Sequence, residues 1–185
     1  MIPPSEQDRA FAEYLRTLAH CGGSRVLATL ARTRPGSGSL RPLQWLGPWT
    51  LNVGPGEAQR RLLVAGLFAL HPHSGHTRST GRSRSAGHAG NMGTVFARLR
   101  RVRGSTASLD QRFVALLEAH REDLPGHLRR AVGLARSAEV NVDWAQLLAD
   151  LRLWDHLRQL VQRAWATEYW AETETRSGED AEPSA

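Results

Sequence analysis

The chain has 185 residues, 41% of them hydrophobic, so it is long enough to bury a sizeable core and is not disordered as a whole. All 24 basic residues are arginine, the formal net charge is +6, and the single cysteine, Cys21, excludes both an intramolecular disulfide and a cysteine-based zinc site. The N-terminus lacks a signal-peptide pattern and no run approaches the roughly 20 apolar residues of a membrane span, so we expect a cytoplasmic protein with no membrane partner.

Charge is distributed unevenly along the chain. No Asp or Glu occurs between Ala58 and Leu109, where nine arginines lie, whereas the last twenty residues carry six acids and only one arginine, Arg176. This asymmetry favours an anionic partner for the basic region. A GC-rich genome also replaces lysine by arginine, but that bias does not explain the missing acids.

Two helices are predicted at the N-terminus. Ser5 and the acid three residues later resemble a capping start for a helix over Glu6–His20, which Gly22-Gly23 ends. A second helix is predicted over Arg25–Arg34. Arg32 lies near its C-terminal end, where a cation suits the helix dipole as well as it suits a nucleic-acid contact.

Residues 35–56 are rich in Gly and Pro and show no steady period, which indicates an ordered crossing segment. We expect Trp45 and Trp49 to fill the core rather than to stack on bases, because aromatic bulk in a loop usually anchors it. A helix is then predicted over Glu57–Leu70, with Arg61 near its first turn.

The segment His71–Asn91 is dominated by Gly, Ser, His and Arg, which predicts a disordered or mobile loop. His71, His73 and His76 raise the hypothesis of a metal site. The loop offers no carboxylate and no fixed cage, so we expect solvent-exposed histidines and no metal.

The next two helices are predicted from cap residues. Asn91 favours a helix over Met92–Arg103 that places Arg98 and Arg101 away from an inward face formed by Val95, Phe96, Leu99 and Val102. Ser108 with Gln111 forms a capping-box pattern for the following helix, whose predicted buried residues are Phe113, Val114, Leu116 and Leu117.

Three further helical runs lie between Asp123 and Trp170. The first follows the start signal at Asp123 and Pro125 and buries Leu128, Val132 and Ala135. After a break at Ser137–Asn141, Asp143 is placed to cap the second run, in which Trp144, Leu147, Leu148, Leu151 and Trp154 repeat the pattern. The third run comprises Leu157, Leu160, Val161, Ala164, Trp165 and Tyr169.

These patterns together predict an all-α protein with no sheet, formed by two packed helical bundles with about seven to eight helices. The N-terminal half covers residues 1–103 and includes the loop at 71–91. The C-terminal bundle covers 108–172, and the acidic segment 173–185 is expected to be a disordered tail.

The string HLRR at His127–Arg130, the sequence Val142–Trp144 and the later Trp154 resemble the small subunit of the type I-E CRISPR Cascade complex, the CasB family. The similarity extends over roughly Arg25 to Trp170. It implies an all-helical, non-enzymatic subunit without cofactors. It also implies partners: a second copy of itself, the backbone and large Cascade subunits, crRNA, and the target and displaced DNA strands.

The resemblance also implies nucleic-acid contacts. Arg129 and Arg130 match the family's LRR string, Arg121 precedes it, and Arg32 and Arg158 lie where relatives are basic. The basic region adds three candidates, Arg61, Arg98 and Arg101. The chain departs from the pattern by placing acids, Glu57 and Glu118, where basic character is expected.

Enzyme signatures are missing from the sequence. It contains no GxSxG motif, no P-loop and no acid cluster for two-metal chemistry, while Asp143 and Asp150 are explained by capping and solvation. A basic surface without a base-reading motif or an aromatic stacking set predicts sequence-independent backbone contact. The alternative function is that of a free-standing helical DNA-binding regulator. The joint at Ser137–Asn141 only weakly resembles the turn of a helix-turn-helix motif.

Overall fold

The computed structural model of the chain describes residues 3–33, 40–72, 90–104 and 106–179. These residues form eight helices and no strand, which confirms the predicted all-α class and helix number. The helices are α1 (Glu6–Arg32), α2 (Leu43–Thr50), α3 (Pro55–Phe68), α4 (Met92–Arg103), α5 (Ala107–Leu117), α6 (Leu124–Ser137), α7 (Trp144–Arg152) and α8 (Leu160–Glu179).

α1 contains both N-terminal helices of the prediction. The side chain of Ser5 accepts a hydrogen bond from the Asp8 amide and Asp8 accepts one from the Ser5 amide, so the predicted capping start is confirmed. The helix is broken at Gly23, whose φ of 65° is a conformation that glycine adopts without a Cβ penalty. The predicted end of the first helix is therefore a kink, after which the chain continues as a helix.

α2 lies inside the segment predicted to be an ordered crossing without a steady period, so the sequence analysis missed the helix Leu43–Thr50. Trp45 and Trp49 are half-buried against the core, as predicted. The ring centroid of Trp49 lies 5.3 Å from that of Phe11, and the hydroxyl of Tyr14 donates to the Trp45 carbonyl at 2.5 Å.

The helices α4 and α5 show one confirmed cap and three errors. Asn91 caps α4 as predicted, by accepting from the Thr94 amide at 3.2 Å, but Val102, predicted to be buried, is 64% exposed. The cap of α5 is Thr106 rather than Ser108, because the Thr106 hydroxyl accepts from the Leu109 amide at 3.3 Å. Val114 is also exposed, since α5 covers the core with a narrow face that includes Phe113.

The C-terminal helices show two further errors in burial, and one of them is Leu160, which belongs to the predicted third run but is 42% exposed. Leu157, predicted to be the first inward residue of the last helix, is fully exposed, because the turn after α7 runs on and α8 begins only at Leu160. The prediction that Asp143 caps α7 is confirmed by its hydrogen bond from the Gln146 amide at 3.0 Å.

The core is continuous and connects helices from both ends of the chain. α4 packs on α8 so closely that a Cβ on Gly93 would clash with the Trp165 carbonyl group. Phe96, Phe113 and Tyr169 form an aromatic cluster there, with the rings of Phe113 and Tyr169 4.3 Å apart. α7 packs in turn on α1 and α3, so helices on either side of the predicted boundary between residues 103 and 108 contact each other. The division into two helical bundles stays a prediction.

Asp150 is buried rather than solvated, which corrects the sequence-based explanation of this acid. Its carboxylate accepts from Nε1 of Trp165 at 2.7 Å and from Nε2 of Gln146 at 2.8 Å, so it joins α7 to α8. Burial raises the pKa of Asp150 to about 6, although both hydrogen bonds favour the charged form.

Arg152, at the end of α7, contacts carboxylates from two other helices. Its Nη1 and Nη2 donate to the two carboxylate oxygens of Asp8 at 2.8 and 2.5 Å. Its Nε and Nη2 donate to Glu57 at 3.0 and 2.6 Å. Asp8 is completely buried, so this bidentate pairing compensates for its desolvation and fixes α7 against α1 and α3.

We predict that Arg152→Met lowers the free energy of unfolding by about 3 kcal/mol, because it leaves the buried Asp8 carboxylate without a cation. Urea denaturation at neutral pH measures the change. The matched control is Arg163→Met, which changes an exposed arginine of α8 and is expected to shift stability by less than about 0.5 kcal/mol. Equal stability of the two variants would show that the charge cluster does not hold the helices together.

A second prediction concerns how the stability of the protein depends on pH through Glu57. Burial alone would raise the pKa of Glu57, but the hydrogen bonds and charge of Arg152, with Arg60 and Arg61, outweigh it and lower the pKa from 4.5 to about 2. The stability that Glu57 contributes is therefore complete above pH 4.5 and is lost as the pH falls towards 2. We expect Glu57→Gln to be less stable than the native chain at pH 6 and the two unfolding curves to converge near pH 2, as measured by urea denaturation over a pH series. A constant difference between them across that range would contradict the prediction.

Candidate nucleic-acid interface

The arginines of α6 point in two directions. Residues 129 and 130 are separated by about 100° around the helix axis. Arg129 is half-buried and its Nη2 donates to the carbonyl of Ala31 at the C-terminal end of α1, whereas Arg130 is exposed. The predicted pair therefore consists of one arginine that joins two helices and one that faces solvent.

Arg32 is exposed beside this junction, on the last turn of α1. The carbonyl of Ala31, the residue before Arg32, already accepts a hydrogen bond from Arg129 at that helix end. The exposed guanidinium of Arg32 thus adds positive charge to the surface where α1 meets α6.

Arg130 belongs to a groove between α4, α5 and α6, which we call the arginine groove. The groove has a volume of about 490 Å³ and its polar side chains include Arg112, His127 and Arg130. Phe96, Ala131 and Leu134 form its apolar part. Arg112 was not predicted as a site residue, because only the packing of α5 on α6 places it beside Arg130. His127 was also missed, although it lies three residues before Arg130 on the same helix, where the spacing alone makes the two neighbours.

Arg121 lies in the connection that precedes α6. It forms an ion pair with Asp155 in which both side chains are about half exposed, and such pairs contribute little and exchange partners easily. Arg158 is exposed three residues after that acid, in the turn between α7 and α8. Its amide donates to Nδ1 of His156 at 3.2 Å, which helps to order the turn.

The candidates on α3 and α4 differ in accessibility. Arg101 is exposed and Arg98 is half-buried, so both present surface on α4. Arg61 is only 2% exposed, which was not expected of a nucleic-acid contact. Its Nε donates to Glu57 at 3.0 Å and its Nη1 to the Trp49 carbonyl at 2.8 Å, so this side chain is used inside the fold and we remove it from the interface.

Glu57 explains one departure from the family pattern. Its carboxylate binds Arg60, Arg61 and Arg152 at once, so an acid at this position organises the interior instead of weakening a basic surface. The other unexpected acid, Glu118, is exposed at the C-terminal end of α5.

The histidine hypothesis can be compared with the structure only at His71, since His73 and His76 lie outside the described residues. His71 is buried and its Nε2 lies 3.0 Å from the Val140 carbonyl, so the expectation of an exposed side chain was wrong here. Within residues 3–33, 40–72, 90–104 and 106–179, His, Cys, Asp and Glu form no cluster that could hold a metal ion. None of the helices in these ranges combines the length and the apolar character needed to cross a membrane.

The family of the chain follows from its sequence. The family described as CRISPR-associated protein Cse2 matches residues 26–170. The chain belongs to the Cse2 family. A curated Cse2 protein from Thermus thermophilus is 36% identical over 116 residues, which make up 62% of this chain and 57% of that relative, so the match spans little more than half of the relative's length.

Solved structures agree with this family and confirm the predicted resemblance to CasB. The crystal structure of M. ruber CasB has a TM-score of 0.71 and 28% identity, covering 96% of this Cse2 chain and 99% of that chain. CasB from Thermus thermophilus gives a TM-score of 0.68 and 27% identity over 89% of this chain and 97% of that chain. A chain of a CRISPR RNA-guided surveillance complex, with a TM-score of 0.72, 23% identity and coverage of 95% and 98%, has the same fold.

Arg129 and Arg130, which are adjacent on α6 of this Cse2 protein, give a matched pair of variants. We predict that Arg129→Ala lowers the free energy of unfolding by about 1 to 2 kcal/mol, because it removes a charged donor from the Ala31 carbonyl. Arg130→Ala, one residue later on the exposed face, is expected to change stability by less than about 0.5 kcal/mol. Thermal or urea denaturation of both variants checks this difference, and equal effects would mean that Arg129 does not join α6 to α1.

Proposed function

We propose that this protein is a non-catalytic subunit of a crRNA-guided Cascade complex, in which it holds single-stranded DNA of the opened target through contacts to the sugar-phosphate backbone. The observation that carries the proposal is the set of exposed arginines around α6. Arg130 lies on α6, Arg32 beside its junction with α1, and Arg121 in the connection before it. Arg158 extends this surface, since it lies close in sequence to the acid that binds Arg121.

The chemistry of these side chains fits phosphate. Each guanidinium presents a planar fork that can donate two hydrogen bonds to one phosphate group. The surface has no base-reading helix, which suits a subunit that leaves sequence recognition to base pairing with a guide RNA. Arg98 and Arg101 are further candidates for phosphate contact. Both lie on α4 rather than around α6, and Arg98 is half-buried.

Two relatives support the assembly part of the proposal. Two chains have this fold, one described as a CRISPR RNA-guided surveillance complex and one as a CRISPR RNA-guided surveillance complex, pre-nicking, with TM-scores of 0.72 and 0.74. By analogy, the partners of this chain are the backbone and large subunits, a second copy of itself, crRNA, and the target and displaced DNA strands. Membership of the Cse2 family supports the same assignment.

The burial of α7 argues against the alternative function of a free-standing DNA-binding regulator. A helix-turn-helix regulator inserts its second helix into the major groove and therefore needs an exposed recognition face. In this protein the helix after the Ser137–Asn141 joint is buried at every residue from Trp144 to Leu151. It has no face to present to a base pair.

We predict that Arg130→Ala weakens binding of the assembled complex to its target to a similar extent for unrelated target sequences. Because each neutralised phosphate releases counterions, the slope of log affinity against log salt should become less negative by about 0.7 for each single-strand phosphate that the variant no longer neutralises. The measurement is target binding over a salt series by complexes whose subunit composition has been verified.

The control for this experiment is Arg9→Ala. Arg9 is exposed on α1 in a groove that also contains Glu6 and Glu13, so it is an arginine in an acidic setting away from α6. Its variant should keep the native salt slope. If Arg130→Ala assembles normally and also keeps that slope, Arg130 does not contact phosphate.

A further inference from the structure

A second concave site lies between the start of α3, the start of α6 and the end of α7. It has a volume of about 380 Å³, and we call it the Trp154 cleft. Leu63, Leu124, Leu151 and Trp154 supply its apolar wall. Trp154 is held in place, because its Nε1 donates to the Ala119 carbonyl at 3.1 Å and its ring packs 5.0 Å from that of Trp165.

The rim of the Trp154 cleft is polar and carries both signs of charge. Arg60 and Arg121 provide cations, Glu122 an anion and Gln59 an amide. Two of these groups are oriented by neighbours: Nε of Arg60 donates to Glu57 at 3.2 Å, and Arg121 pairs with Asp155. The cleft therefore combines an apolar wall with donors and acceptors at its mouth.

This combination differs from what a phosphate requires. A phosphate needs donors and positive charge, whereas an apolar wall offers it nothing and an acid at the rim repels it. A nucleobase has two apolar faces and an edge that carries amino groups and ring or carbonyl acceptors, which match Glu122, Gln59 and the arginines. The volume is at the small end of the range for ligand sites, as suits one base rather than a longer segment.

We propose that the Trp154 cleft binds one unpaired nucleobase of a single strand, while Arg121 and Arg60 contact the phosphates that flank it. The proposal rests on the function proposed above and extends it, since it adds contact with a base to contact with the backbone. Recognition would be tolerant of sequence, because every base has apolar faces and the rim offers both donors and acceptors.

Gly56 provides a way to close the cleft without changing its charge. It lines the cleft on the first turn of α3, and a Cβ there would lie 3.6 Å from Nη1 of Arg60, which is ordinary van der Waals contact. The Cβ itself meets no backbone atom within 4 Å outside its own helix turn, so Gly56→Leu adds apolar bulk at the mouth, beside Arg60, and leucine is a better helix former than glycine. The matched control is Ala28→Leu, which adds apolar bulk on the exposed side of α1.

The experiment uses the full-length protein and two single-stranded probes of equal length, one an ordinary DNA oligonucleotide and the other an abasic phosphodiester chain. Both probes offer the same phosphates. We expect the native chain and Ala28→Leu to bind the probe with bases about tenfold more tightly, which corresponds to about 1.4 kcal/mol. Gly56→Leu should bind the two probes with equal affinity, and its binding to both should still weaken as salt rises.

The outcomes separate this proposal from the function on which it rests. Binding of both probes by the native chain with equal affinity would overturn the base site and leave backbone contact standing. Absence of salt-dependent binding to either probe would contradict the backbone contact itself. If Gly56→Leu keeps the preference for bases but no longer assembles with the other subunits of its complex, the cleft is a protein-docking site and not a base site.

Discussion

The contact of Arg152 with Asp8 and Glu57 determines how the helices are arranged. A carboxylate that is fully buried, as Asp8 is, is costly unless a cation reaches it with good geometry, and the guanidinium does so with two parallel hydrogen bonds. The remaining donors of Arg152 bind Glu57, so one side chain connects α1, α3 and α7, which are distant in sequence. Apolar packing would allow these helices to slide, whereas the directional hydrogen bonds fix their relative position.

The position of α6 follows from that arrangement. Because α7 is fixed against α1 and α3, the preceding helix lies beside them, and Arg129 can reach the end of α1. The same geometry turns Arg130 outward, where it is exposed to solvent. A structural requirement on Arg129 thus sets the direction of Arg130, and the exposed surface depends on the buried cluster through the packing of the helices.

The helices were largely predictable from the sequence because they depend on local features. Asn91 caps α4 and Asp143 caps α7 within a single turn, and Leu128 and Val132 are buried at the predicted spacing. The errors at Val102, Leu157 and the start of α5 occur where helix ends meet other elements, so the local pattern does not decide burial. The interface was less predictable for the same reason. Arg61, expected at the surface, is buried in the packed fold, and Arg112 enters the arginine groove only through the packing of α5 on α6.

Net charge is a poor guide to the binding surface of this protein, because arginine is its only basic residue type apart from histidine. A chain with 24 arginines and no lysine must use the same side chain for interior and exterior tasks. Arg61, Arg129 and Arg152 are used inside, on carboxylates and backbone carbonyls, and arginine suits this work because its fork is less strongly hydrated than an ammonium group. The charge that remains for a polyanion is therefore smaller than the sequence suggests, and the interface proposed above uses the exposed arginines around α6. An interface of few phosphate contacts gains from any additional contact that is independent of salt, which is the contribution that an apolar cleft beside the arginines can make.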